Sequence, residues 1–198
     1  NAELDNLFNC TATIKNNTIV GNNATAAFSY KTRANIVPCT NVIFENNYVD
    51  IAEYLGYPIY INSTKTQLIS IQNNTFKGHC LYGNILFIVG SSLSNHVRKF
   101  NGNVISMTLD GALGEYGIPF SLVLSSSIVQ TAKENVLNGV KLKDYDGTKF
   151  ISMQTSVPAD SYKWSQGSIV YNSLVASTGT YAWICTNNVA PATWRALT

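Results

Sequence analysis

Hydrolysis of a glycosidic bond needs two carboxylates flanking it, about 5 to 9.5 Å apart. Lyase cleavage of a uronic acid needs a base and stabilisation of an enolate-like charge. The chain has 11 Asp and Glu residues, and two groups of them stand among aromatic side chains. The first is Asp50 and Glu53, with Tyr54, Tyr57 and Tyr60 close behind. The second is Asp110 and Glu115, with Tyr116. The four acids are the candidate catalytic residues, and the tyrosines are candidate sugar contacts. Both groups are expected on excursions between strands. Trp164, Trp183 and Trp194 are further candidate stacking platforms for a sugar ring, or else the core of a small terminal unit. Glu45 reads as half of a structural ion pair with Lys15, and Glu134 as a neighbour of Lys133. His79 and His96 have no partner identifiable from sequence, and His79 and Cys80, adjacent on a strand, point to opposite faces.

No CxxC pair, phosphate loop, dinucleotide fingerprint or calcium-type Asp cluster occurs, so no metal or other cofactor is expected. Four cysteines are present: Cys10, Cys39, Cys80 and Cys185. Cys10 and Cys39 precede their nearest repeat markers by seven and eight residues, so a disulfide between neighbouring repeats is geometrically possible. Buried free thiols in a chain assembled under reducing conditions are the simpler expectation.

What must position these groups is a recurring pattern. Thr13-Ile14-Lys15-Asn16-Asn17-Thr18-Ile19 returns as Ile43-Phe44-Glu45-Asn46-Asn47-Tyr48-Val49 and as Ser70-Ile71-Gln72-Asn73-Asn74-Thr75-Phe76. Weaker copies centre on Asn103 and Asn135. With the second Asn as marker, positions 17, 47, 74, 103 and 135 lie 30, 27, 29 and 32 residues apart. A period in this range indicates a stacked repeat array. Within each copy an apolar residue, a polar one, a turn-forming Asn pair and another apolar residue follow in order. That is the signature of short strands with one buried face, and paired amphipathic helices are absent. The fold class expected is all-β, a single-stranded parallel solenoid. Asn suits its corner because it tolerates left-handed backbone and its amide bonds the amide of the next coil.

The rungs resemble those of pectate-lyase-like right-handed parallel β-helices. The stretch from Gly167-Ser168-Ile169-Val170-Tyr171-Asn172 through Tyr181-Ala182-Trp183-Ile184-Cys185-Thr186 to Thr193-Trp194-Arg195-Ala196-Leu197 is similar to the short module that ends many bacteriophage tailspike and tail-fibre proteins. The resemblance implies a homotrimeric virion component that recognises, and in full length depolymerises, a bacterial surface polysaccharide. It is assembled in the bacterial cytoplasm and carried on the phage tail. Two alternatives stay open: a monomeric pectate-lyase-like lyase or hydrolase, and a purely structural trimerisation and adsorption module.

The charge shift over Lys141 to Lys149 divides the chain into parallel coils over 1–150 and a small antiparallel β module over 151–198. The chain opens on Asn1-Ala2-Glu3-Leu4-Asp5 with no capping element, so further coils are expected upstream. The net charge is +2 with only 12% charged residues, which implies neither nucleic-acid nor anionic-membrane affinity. The longest apolar run, Ile85-Leu86-Phe87-Ile88-Val89, is too short to span a bilayer. A surface rich in Asn, Ser, Thr and Tyr suits hydrogen bonding to, and stacking on, carbohydrate. The sequons at Asn9, Asn16, Asn23, Asn62 and Asn73 follow from that Asn and Thr abundance.

Overall fold

The computed structural model describes residues 2–5, 11–24, 26–31, 41–62, 67–83, 85–89, 96–113, 116–119, 128–159, 162–174 and 179–198. The chain is all-β, with its described strands in four sheets. Among the described residues, no helix is long and apolar enough to cross a membrane.

Each of the first four repeats contributes one strand to each of three sheets. The first repeat holds β1 (Ala2–Asp5), β2 (Thr11–Lys15) and β3 (Thr18–Ala24). The second holds β4 (Phe28–Lys31), β5 (Asn41–Glu45) and β6 (Tyr48–Tyr54). The third holds β7 (Ile59–Asn62), β8 (Leu68–Gln72) and β9 (Thr75–Cys80), and the fourth β10 (Leu86–Val89), β11 (His96–Asn101) and β12 (Val104–Leu109). The fifth adds β13 (Ile128–Thr131) and β14 (Val136–Leu137). Strands of the same rank stack as β1-β4-β7-β10, β2-β5-β8-β11-β13 and β3-β6-β9-β12-β14. These pairings are parallel throughout.

Register follows the sequence repeat. Ile14 pairs with Phe44, Ile71 and Phe100 in succession. Ile19 pairs with Val49, Phe76, Ile105 and Leu137. Phe44, Ile71, Val49, Phe76 and Ile105 are fully buried. Phe44 and Phe76 stack across from one sheet to the other at 6.2 Å. A buried side chain of this size stabilises by about 1.5 to 3 kcal/mol, so a repeated apolar position holds each layer on the next.

The two asparagines of the corner divide the work. The first carries the left-handed backbone: φ is 59° at Asn16, 56° at Asn46 and 55° at Asn73, with Gly102 and Glu134 at 64° and 59°. The second builds the ladder. The Oδ1 of Asn47 accepts from the backbone and side-chain amides of Asn17, and Asn74, Asn103 and Asn135 repeat this for the marker below. Each Nδ2 also donates to a carbonyl of the preceding repeat: Ile14, Phe44, Ile71 and Phe100 in turn. Asn47, Asn74, Asn103 and Asn135 are all buried. Their amides are satisfied by one another and by the backbone, as buried polar groups require.

The stacking stops at a hairpin. Asn138 and Gly139 have φ of 49° and 81° and return the chain as β15 (Val140–Lys141), antiparallel to β14. An Asn-Gly pair with both φ positive is the two-residue turn that matches strand twist. Beyond the short β14, the Asn138 side chain bonds both backbone groups of Met107, taking the place of a strand. Tyr145 then bridges antiparallel to Ala132, covering the edge of the second stack. Paired or covered edges do not template association.

The fourth sheet comprises β16 (Asp144–Tyr145), β17 (Phe150–Gln154), β18 (Ile169–Asn172), β19 (Ala182–Cys185) and β20 (Trp194–Leu197) in sequential order. The strands read from sequence around Val170 and Trp183 do pair antiparallel, whereas β17 and β18 are parallel. Phe150, Trp164, Val170 and Cys185 belong to the same apolar cluster as the repeat core. Lys143, at the entry to β16, lies over Trp164 at 3.9 Å and over Phe150 at 5.2 Å, a cation–π clasp at the start of the fourth sheet.

Candidate functional site

The outward face of the sheet β3-β6-β9-β12 gathers several of the candidate residues. Alternation on a strand sends residues three apart to opposite faces. Asp50 and Glu53 escape that rule because β6 bulges: Asp50 pairs with Lys77, Ile51 with Gly78, and Glu53 with His79, which leaves Ala52 as the extra residue. Val49, Ile51 and Tyr54 point inward and are buried, so Asp50 and Glu53 share the outer face. On the partner strand their separation spans two residues, about 6.7 Å. Bulges of this kind re-aim side chains at the cost of ladder bonds. Gly78 makes the bulge possible: its φ is 122°, and a Cβ there would collide with the Ile51 carbonyl oxygen.

The surrounding groups are ordered. Tyr48 donates to Asp50 Oδ2 at 2.9 Å, and Lys77 lies over the Tyr48 ring at 5.3 Å. Its hydrogen bond with Tyr48, and to a lesser degree the Asp50 charge, raises the Lys77 ammonium above its ordinary range. His79 Nε2 lies 2.8 Å from Asp110 Oδ2. His79 therefore has a partner that the sequence did not reveal, and Asp110 is drawn to the same face as Glu53. Further along, Tyr57 stacks on Tyr82 at 4.7 Å, with Tyr82 exposed. Backbone packs on backbone there, since a Cβ on Gly83 or Gly111 would strike the other loop.

Asp50, Glu53 and Asp110 are thus brought together with Lys77, His79 and Tyr48, and the paired rings of Tyr57 and Tyr82 flank them. Asp50 and Glu53 lie within a strand rather than on an excursion. Tyr54 is fully buried, and burial pushes its phenol well above the usual range, so it belongs to the core and not to the surface patch. Tyr60 lies on β7, in a different sheet. Glu115 lies outside the described residues, as do Cys10 and Cys39. Cys80 and Cys185 are free and buried, which raises both thiols.

Tyr116 and Trp164 are also buried. They line an open groove of about 510 Å³ at the start of the terminal unit, with Tyr145, Lys163, Gln166 and Asn188. Trp194 meets Trp164 edge-on at 5.0 Å, and Trp183 and Trp194 both pack half-buried against the core. Glu45 is held as read from sequence: Lys15 Nζ lies 3.0 Å away, and Gln72 donates to it from the next repeat. Ser70 adds a 2.6 Å hydrogen bond.

No group of three His, Cys, Asp or Glu side chains that could hold a metal ion occurs among the described residues. The arrangement presents carboxylates, an imidazole and an ammonium on one face, groups able to donate and accept hydrogen bonds and protons. Comparison with known protein families, curated protein sequences and solved structures returns no match.

Proposed function

We propose that the chain is a right-handed parallel β-helix with a small β terminal module, and that it belongs to a homotrimeric phage tailspike. It recognises a bacterial surface polysaccharide during host adsorption and cleaves it on the outer face of the third sheet. The reading is supported by three sheets visited in rotation by parallel strands, and by the rung and terminal motifs already described. The observation that carries the enzymatic part is the bulge at Ala52, which turns Asp50 and Glu53 to the same side of the sheet, as a pair of carboxylates acting on one glycosidic bond requires.

In this reading Glu53, which has no hydrogen-bond or ion-pair partner among the described residues, protonates the leaving oxygen. Asp50, oriented by Tyr48, acts on the opposite side of the sugar ring. The His79–Asp110 pair and Lys77 hold hydroxyl or acidic substituents, and Tyr57 on Tyr82 offers an apolar ring face to a flanking sugar.

Surface polysaccharides from candidate hosts, incubated with wild type, E53Q and D50N, give the test. Release of reducing ends by wild type and its loss by at least 100-fold in both variants is the expected result. Binding retained with no cleavage by wild type would leave adsorption without chemistry. Light scattering should show three chain masses; a monomer removes the tailspike assignment.

A further inference from the structure

The inner faces of the second stack hold an exception to their apolar pattern. Ala12, Val42 and Ile69 point inward in register, and the next residue in that column is Arg98, followed by Gln130. Arg98 is only 6% exposed, yet its Nε and Nη1 have no hydrogen-bond partner among the described residues. Arg98 takes part in none of the described ion pairs. An arginine cannot shed its charge to escape such a site, because its ordinary range lies above about pH 12. Desolvation alone lowers the guanidinium from its ordinary value, with no compensating partner. An isolated buried cation of this kind costs several kcal/mol unless an anion meets it.

We propose that Arg98 is a binding site for a small anion inside the stack, taken side-on by its Nε and Nη1 hydrogens. Those two donors form one edge of a planar fork, whose geometry matches a carboxylate or inorganic oxyanion and which a halide can bridge. At 6% exposure the guanidinium is out of reach of a carboxylate carried on a polysaccharide, so the occupant is a free anion of a few atoms. The site is therefore separate from the outward acidic face, and its occupant acts on stability. Because the anion binds only the folded chain, stability rises with its concentration until the site fills.

Thermal unfolding is followed at constant ionic strength while formate or chloride replaces gluconate, a larger anion. Wild type should gain several degrees with a saturable midpoint. R98M should show no saturable gain and should melt in gluconate at or above the wild-type temperature, because it carries no orphaned charge. Equal responses in the two proteins, or no saturable gain in wild type, overturn the proposal. Should R98M fail to fold, bromide-soaked crystals of wild type decide the question. An anomalous peak beside the guanidinium supports the site, and its absence at molar bromide refutes it.

Discussion

Replacing Asn74 by Ala removes the centre of the amide ladder. Its Oδ1 accepts from Asn47 N at 2.9 Å and from Asn47 Nδ2 at 3.1 Å. Its Nδ2 donates to Phe44 O at 2.9 Å and to Asn103 Oδ1 at 3.0 Å. Asn47 Nδ2 keeps a second acceptor, the Ile14 carbonyl, but the buried Asn47 N–H is left with none. That orphan costs about 1 to 3 kcal/mol, and the remaining lost bonds add about 1 kcal/mol each. With three such bonds the sum is about 4 to 6 kcal/mol. N17A loses bonds to Asn47 Oδ1 and Lys15 O at an exposed position, where water substitutes, so about 1 kcal/mol is expected.

Urea unfolding monitored by tryptophan fluorescence and far-UV circular dichroism measures both, provided m is unchanged and the two probes coincide. N73G supplies the contrast. Asn73 sits at φ 55°, a conformation that glycine adopts freely, so this substitution next door should cost no more than about 1 kcal/mol. A cost for N74A within 1 kcal/mol of that for N17A, or a larger cost for N73G than for N74A, refutes the assignment of backbone geometry to the first asparagine and of stacking to the second.

G78A forces a Cβ onto the Ile51 carbonyl and strains a φ of 122°, so it should lower stability by about 3 kcal/mol or more in the same urea assay. Burial raises the Glu45 carboxyl, but hydrogen bonds from Ser70, Lys15 and Gln72, with the Lys15 charge, outweigh it and leave the group below its ordinary value. A depressed folded value means that its contribution is complete above the ordinary glutamate range, about pH 4.3, and is lost as pH falls through the folded value. Urea midpoints measured from pH 6 down to pH 3 should therefore fall less steeply in E45Q than in wild type. Cys80 and Cys185, raised by burial, should react with a thiol reagent at pH 8 at least 10-fold more slowly in native protein than in denaturant, read by the absorbance of the released thiolate.

The stack was legible because its determinants are local and repeat. An apolar residue three before the marker and another two after it were enough to align Ile14 with Phe44, Ile71 and Phe100, and the structure keeps that register. The Lys15–Glu45–Gln72 contact followed from the same alignment. The hairpin that ends the stack has its own signal in Asn138-Gly139, just ahead of the charged segment that marks the boundary.

The acidic face was not legible in the same way. Counting from the marker, His79 is the fifth residue and Glu53 the sixth, so a gap-free alignment puts Ala52 beside His79 and turns Glu53 inward. Only the partner strand exposes the extra residue, because a bulge is a property of a pair and not of one segment. The partner of His79 was hidden for a related reason. Asp110 lies just past the end of β12, and the two meet only when the third and fourth repeats stack. The sequence signal that remained was Gly78, a glycine in the interior of a strand. Its neighbour in the stack had to be a backbone in close approach, here the carbonyl of Ile51 at the bulge that sets the two carboxylates side by side.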